Sequence, residues 1–332
     1  MSVPRSRAHH YVPQVYLRQW AEDGKVAVRR RGKATTFVTS TRRVAQETDL
    51  YTIETDDGPS DFVERSLASM ESSLPDVFAA VRRGRVPPVG TVGRDLCARL
   101  VALQFIRTPD RVEEQRFPDD AFEAAGRSLP VPREVVGKLL RDRWGYPPTA
   151  SELQGAWDFV NVSLRDGVRL TNADYLEVAF RTLPKLADRL AQMRWSTEAS
   201  KGLPFITSDQ PLNLWVRRPK SLYGVGAENA EEIRIPVGPR HLLVLRHRGA
   251  ESSVVVPRRR VISINAHIAA TCRHMVIGQP TRVDMLEVLR LHDRRPMWKF
   301  NEGPLYHSRP RGDEYRGEVI HFYRPYDDRD MG

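Results

Sequence analysis

From residue 61 to residue 192 the apolar positions recur mainly at helical spacing, and the β-branched, alternating patterns of strands stand on either side of that block. A chain patterned in this way resolves into an α+β fold: a mixed or antiparallel sheet built from the two ends, with a central block of helices packed against it. Phe62, Val63, Leu67, Met70, Leu74, Val77, Phe78 and Val81 make one helical stripe, with Pro75 expected to kink or split it. Thr91 begins a second helix through Ile106, which is almost wholly apolar from Leu100 and therefore central. Residues 109–150 read as helices broken at Pro118, Pro130 and Pro132, and Thr171 is placed to cap a long helix to Gln192. Before the block, residues 25–29 and 35–39 form a hairpin turning at Gly32, and 49–53 a short strand. After it, 193–197 and 204–207 read as a strand pair around Lys201-Gly202, followed by strands at 212–216, 233–237, 241–246 and 275–278. The domain expectation is a single α+β domain over 1–280 with a helical insertion near 109–167. A C-terminal helix at 284–294 and an Arg/Pro-rich tail then occupy 281–332.

The first candidate site is the opening stretch His9-His10-Tyr11-Val12-Pro13-Gln14. Adjacent side chains on a strand face opposite ways, so at most one of the two imidazoles enters a given site, as base, proton donor or metal ligand. The bland alternative is that both fill local structure. Glu64 and Glu71 stand a heptad apart and flank the apolar stripe of their helix, where they reach a site beside the core or remain solvated. Gln104 and Arg107 end the apolar helix. Either they bind a substrate anion or a histidine of the opening stretch, or Arg107 simply complements the helix dipole. Ser208-Asp209 follows a buried strand, as site residues or as a turn before Pro211. Asn265, within an apolar helix, is a further candidate.

The His-His-x-x-Pro-Gln opening, Tyr16-Leu17-Arg18, Gln104-Phe105-Ile106-Arg107-Thr108-Pro109 and Phe205-Ile206-Thr207-Ser208-Asp209-Gln210-Pro211 occur in this order. In them the chain resembles the bacterial domain of unknown function 4238 family, from near the N-terminus to about Met275. The resemblance carries no activity. It implies a single architecture in which these separated motifs meet.

Lys and Arg total 52 against 42 Asp and Glu, a net charge of +10. That balance favours nucleic acid or another polyanion as partner, unless it reflects only an Arg-rich composition. Cys97 and Cys272 belong to no CxxC pair and are expected as buried free thiols. No apolar run reaches the ~18–20 residues that cross a bilayer. The N-terminus has no apolar signal core, so the expectation is no membrane and a cytoplasmic location. P-loop, dinucleotide GxGxxG, HExxH and GxSxG motifs are absent.

These features lead to an enzyme-like domain, with metal-assisted hydrolysis of phosphodiester bonds as the working function. His9 or His10 would act as base or ligand, and Arg107 would stabilise phosphate charge. His10, Glu71 and Asp209 would hold a divalent metal, with Glu64 as the alternative carboxylate. The alternatives are a non-catalytic nucleic-acid-binding or regulatory module, and a small-molecule hydrolase or transferase.

Overall fold

The computed structural model describes residues 7–55, 58–165, 172–217, 225–291, 299–305 and 315–320. The N-terminal third runs β1 (Ala8–His10), α1 (Gln14–Leu17), β2 (Lys25–Arg30), β3 (Thr36–Ser40), β4 (Gln46–Thr48), β5 (Ile53–Thr55) and β6 (Gly58–Ser60). The helical block follows as α2 (Phe62–Glu71), α3 (Leu74–Arg82), α4 (Val92–Ile106), α5 (Pro109–Ala124), α6 (Arg133–Trp144), α7 (Ala150–Arg165) and α8 (Asn172–Gln192). Strands then dominate: β7 (Arg194–Ala199), β8 (Thr207–Ser208), β9 (Asn213–Trp215), β10 (Glu232–Gly238), β11 (His241–Arg246) and β12 (Ser252–Val255). The chain continues through α9 (Arg258–Thr271), β13 (Met275–Gly278), α10 (Val283–Glu287), β14 (Lys299–Leu305) and β15 (Tyr315–Ile320). The fold is α+β, as the patterning implied.

Two sheets organise it. One has the order β3-β2-β13-β8, all antiparallel, so the early hairpin joins strands from the far end of the chain. The other, β12-β7-β11-β10-β9, is mixed because β12 runs parallel to β7. The expected pairing of 193–197 with 204–207 does not occur: β7 and β8 lie in different sheets. The segment between them crosses from one sheet to the other, and its backbone bonds go elsewhere. Phe205 N donates to the Pro239 carbonyl at 2.7 Å, and the Phe205 carbonyl accepts from Trp20 Nε1 at 2.9 Å. Phe205 and Ile206 are buried beneath α9 with Ile264 and Ile268.

Local chemistry explains most helix boundaries. Pro75 stands in the first turn of α3, where a missing N–H costs nothing, so it splits the predicted helix rather than kinking it. Thr91 Oγ accepts from Arg94 N at 3.3 Å and starts α4, whose side chains from Leu100 to Gln104 are all buried. Pro118 was expected to break a helix, but α5 runs through it. Phe117, Ala121 and Phe122 on either side are buried in a separate core shared by α5, α6 and α7, and that packing outweighs the lost bond. Of the predicted strand at 49–53, residues 49–52 instead form a turn and only Ile53 enters a strand, β5, because Asp49 is left-handed (φ 56°) and its carbonyl accepts from Thr52 N at 3.1 Å.

Arginines pin the sheet to the helix ends. Arg29 Nη1 donates to the Leu286, Glu287 and Leu289 carbonyls at 2.6–2.8 Å. Arg31 donates to those of Ala269, Ala270 and Cys272, closing the end of α9. Of the helix expected at 284–294, the described residues form only the short α10, and 292–294 lie outside the described residues. Thr171 and most of the predicted tail lie outside the described residues; β14 and β15 pair and lie against α7. Among the described residues, no helix is long and apolar enough to cross a membrane.

Candidate functional site

Strand β1 is held by β4 in the register His9↔Glu47 and His10↔Gln46. Strand β4 is bracketed by two left-handed non-glycine residues, Ala45 (φ 52°) and Asp49 (φ 56°). For alanine that conformation is unfavourable, and strain of this kind concentrates where geometry is held for function. His9 is fully buried. Its Nδ1 accepts from Tyr51 N at 2.9 Å, and its ring lies parallel to the Tyr51 ring at 5.8 Å. His10 faces the other way and is half-buried. Gln14 Nε2 donates to its Nε2 at 2.9 Å, so the ring proton sits on Nδ1. That Nδ1 is buried without a hydrogen bond of acceptable geometry. Burial lowers the His10 pKa, as does the charge of Arg107, while the backbone at Val44 and Ala45 acts the other way.

Arg107, at the end of α4, ties the group together. Nε donates to the Tyr11 carbonyl at 2.7 Å, Nη2 to that of His10 at 3.5 Å, and Nη1 to the Glu71 carboxylate. The Arg107 carbonyl accepts from the Tyr51 hydroxyl at 3.0 Å. Glu64 stands on the same helix as Glu71, and its Oε2 is buried with no hydrogen-bond partner. Burial raises its carboxyl to about 7, Arg107 pulling it down and Glu71 pushing it up. Beneath this group lies a cavity of about 30 Å³, walled by apolar side chains including Tyr16, Phe78, Val101 and Leu103, with Glu71, Gln104 and Arg107 as its polar members. His9, His10, Glu64, Glu71, Gln104 and Arg107 therefore come together.

Ser208, Asp209 and Asn265 do not join them through their side chains. Ser208 Oγ donates to the Gln210 carbonyl and accepts from Gln210 N, a local turn. Asp209 accepts from the backbone N–H groups of Arg273 (2.9 Å), His274 (2.6 Å) and Met275 (3.2 Å), which fixes the entry to β13. Asn265 accepts from Ile206 N at 3.1 Å and donates to the Pro204 carbonyl at 2.9 Å, strapping the sheet crossing to α9. The expected ligand set His10, Glu71 and Asp209 is not assembled. Asp209 is engaged by amides and Glu71 by Arg107, and among the described residues no three His, Cys, Asp or Glu side chains form a group that could hold a metal.

Tyr51 was missed, because nothing in a lone tyrosine in a turn signals that it bridges His9 and Arg107. A second buried charge network was missed too. Glu198 and Glu232 face Arg234, Arg246 and Arg260, with Arg260 Nη2 donating to both carboxylates at 2.8–2.9 Å and Arg234 Nε to Glu232 at 2.5 Å. The spacing Glu232-x-Arg234 in a strand puts both on one face and could have signalled it. Arg94, equally buried, bonds the Ala191 and Met193 carbonyls and lies 3.9 Å from the Trp195 ring centre. Several of the arginines are thus engaged inside the fold.

A family model described as a protein of unknown function, DUF4238, matches residues 8–282. No curated protein and no solved structure matches the chain.

Proposed function

The chain belongs to the DUF4238 family, and from its site chemistry we propose that it is an acid–base enzyme of the hydrolase or transferase type acting on a small molecule at the His10–Glu64–Arg107 centre. The observation that carries the reading is the half-buried Glu64 carboxylate, with one oxygen unpartnered, set near the Arg107 guanidinium and against the backbone of His10. A carboxyl titrating near 7 is matched to proton transfer at neutral pH. In this reading the Glu64 carboxylate takes the proton of a nucleophile as the nucleophile's bond to the substrate forms, then returns it to the leaving group as the bond to that group breaks. Arg107 keeps the ionised carboxylate accessible. His10, neutral at pH 7, is oriented by Gln14.

Metal-assisted phosphodiester cleavage is the weaker form of the reading, since Arg107 and Asp209 spend their polar atoms within the fold. The test is a panel of small amides, esters and phosphoesters, with DNA and RNA as further arms, run with and without Mg²⁺. Wild type is compared with Glu64→Gln and His10→Asn. Turnover whose kcat/KM rises with pH through about 7, and falls at least ~100-fold in Glu64→Gln, is expected. Turnover indifferent to Glu64→Gln would remove the proposal.

A further inference from the structure

The cavity beneath Arg107 holds a polar group that the acid–base chemistry leaves unused. Gln104 is more than nine-tenths buried and lines that cavity, yet its amide makes no side-chain hydrogen bond to the described residues. A buried amide is normally paired, and nothing in the packing of α4 requires one here. Its neighbours Leu100, Val101 and Leu103 are apolar, and the same wall continues across Phe78 and Val77 of α3. About 30 Å³ is room for on the order of two waters, or for the end group of a small molecule. An amide offers one donor side and one acceptor side, so its best partner is another uncharged group that both accepts and donates. A carboxylate would meet the Glu71 charge and an apolar wall, while the Arg107 guanidinium in the same lining is already engaged by Glu71 and by the Tyr11 and His10 carbonyls.

We propose that this cavity is a specificity pocket for a small carboxamide-bearing molecule, its end group held by the Gln104 amide and its apolar carbons by the wall of α3 and α4. The pocket belongs to the same centre, so the inference rests on reading that centre as an enzyme site. Filling the pocket sets the molecule against Glu71 and Arg107, which the pocket shares with that centre.

The test titrates the full chain with acetamide, butyramide and acetate, following the methyl NMR signals of Val77, Val101 and Leu103. Saturable shifts with the amides in the mM range, on the order expected of a ligand of four to six heavy atoms, are expected, with acetate weaker. Gln104→Leu, which keeps the shape, and Gln104→Glu, which removes the donor, should each weaken amide binding about tenfold or more, while Glu228→Gln, in an exposed pair with Arg189, leaves it intact. No saturable shift, acetate binding as well as acetamide, or binding unchanged in both Gln104 variants overturns the inference. Loss of turnover in Glu64→Gln without amide binding removes the pocket and leaves the centre standing. Amide binding without turnover on any panel substrate leaves the pocket as a binding site and removes the enzyme reading, and with it the substrate role given to the pocket.

Discussion

His9 and His10 are neighbours in sequence, but their neutral rings carry protons on opposite nitrogens: Tyr51 N–H occupies His9 Nδ1, whereas the Gln14 amide occupies His10 Nε2. One ring is thereby built into the fold and the other is left with a buried, unpaired nitrogen. Imidazole ¹⁵N spectra at pH 8 should show Nε2–H for His9 and Nδ1–H for His10. His9→Ala strands the Tyr51 amide and should cost about 2–3 kcal/mol in denaturant unfolding. His10→Asn should stay within about 1 kcal/mol of wild type. Equal losses for the two variants would contradict this division.

Glu64 carries its own pH signature. Its folded carboxyl sits at about 7, above the ordinary 4.5, so it favours folding most below pH 4.5, and that contribution is lost as pH rises through 7. With solvent screening of this partly exposed group, the effect is on the order of 1 kcal/mol. Glu64→Gln should therefore be stabilising at pH 8 and near neutral at pH 4, read from urea midpoints at each pH. A variant equally stable, or less stable, at pH 8 would show that Glu64 titrates normally.

Asp209 looked like a site residue because a Ser-Asp pair closes a buried strand, yet its carboxylate is surrounded by backbone amides. Asp209→Ala leaves the N–H groups of Arg273, His274 and Met275 without that acceptor and should cost about 3 kcal/mol or more. Asp209→Asn, which keeps one acceptor oxygen, should recover part of the loss. The readout is stability rather than turnover. An Asp209→Ala protein of wild-type stability would return the residue to the list of catalytic candidates.

What could be read from the chain follows the range of the interactions involved. The helix boundaries at Thr91 and Pro75 depend on neighbours within a few residues, and local chemistry exposed them. The clustering of His10, Glu64, Glu71, Gln104 and Arg107 was approachable because His10 stood in the opening motif, Glu64 and Glu71 flanked an apolar stripe, and Gln104 and Arg107 ended an apolar helix. Sheet partners were not, since β2 meets β13 across some 250 residues of sequence, and nothing in either strand names the other. Asp209 and Asn265 show the same blind spot. Their type and burial were visible, but whether the partner was a ligand or a distant backbone amide was not. Pro118 shows the reverse error, a local rule outweighed by burial of Phe117 and Phe122.

The network around Glu232 gives the sharpest stability test. Burial alone would raise this carboxyl, but Arg234, Arg260 and Arg246 override it and hold it at about 2. Its contribution is therefore present above the ordinary 4.5 and lost as pH falls through 2. Glu232→Gln leaves three guanidiniums facing Glu198 alone and should cost about 3 kcal/mol at pH 7. The difference from wild type should shrink by pH 2, because the wild-type carboxyl is by then half protonated. Added salt should change it little, since Arg234 and Glu232 are shielded from solvent. Glu228→Gln breaks an exposed pair with Arg189 and should leave the unfolding midpoint unchanged. If the two variants behave alike, the buried network carries no more than surface pairs do, and the arginines of this sheet must be held by packing, as Arg234 is on the Trp215 ring 4.4 Å away.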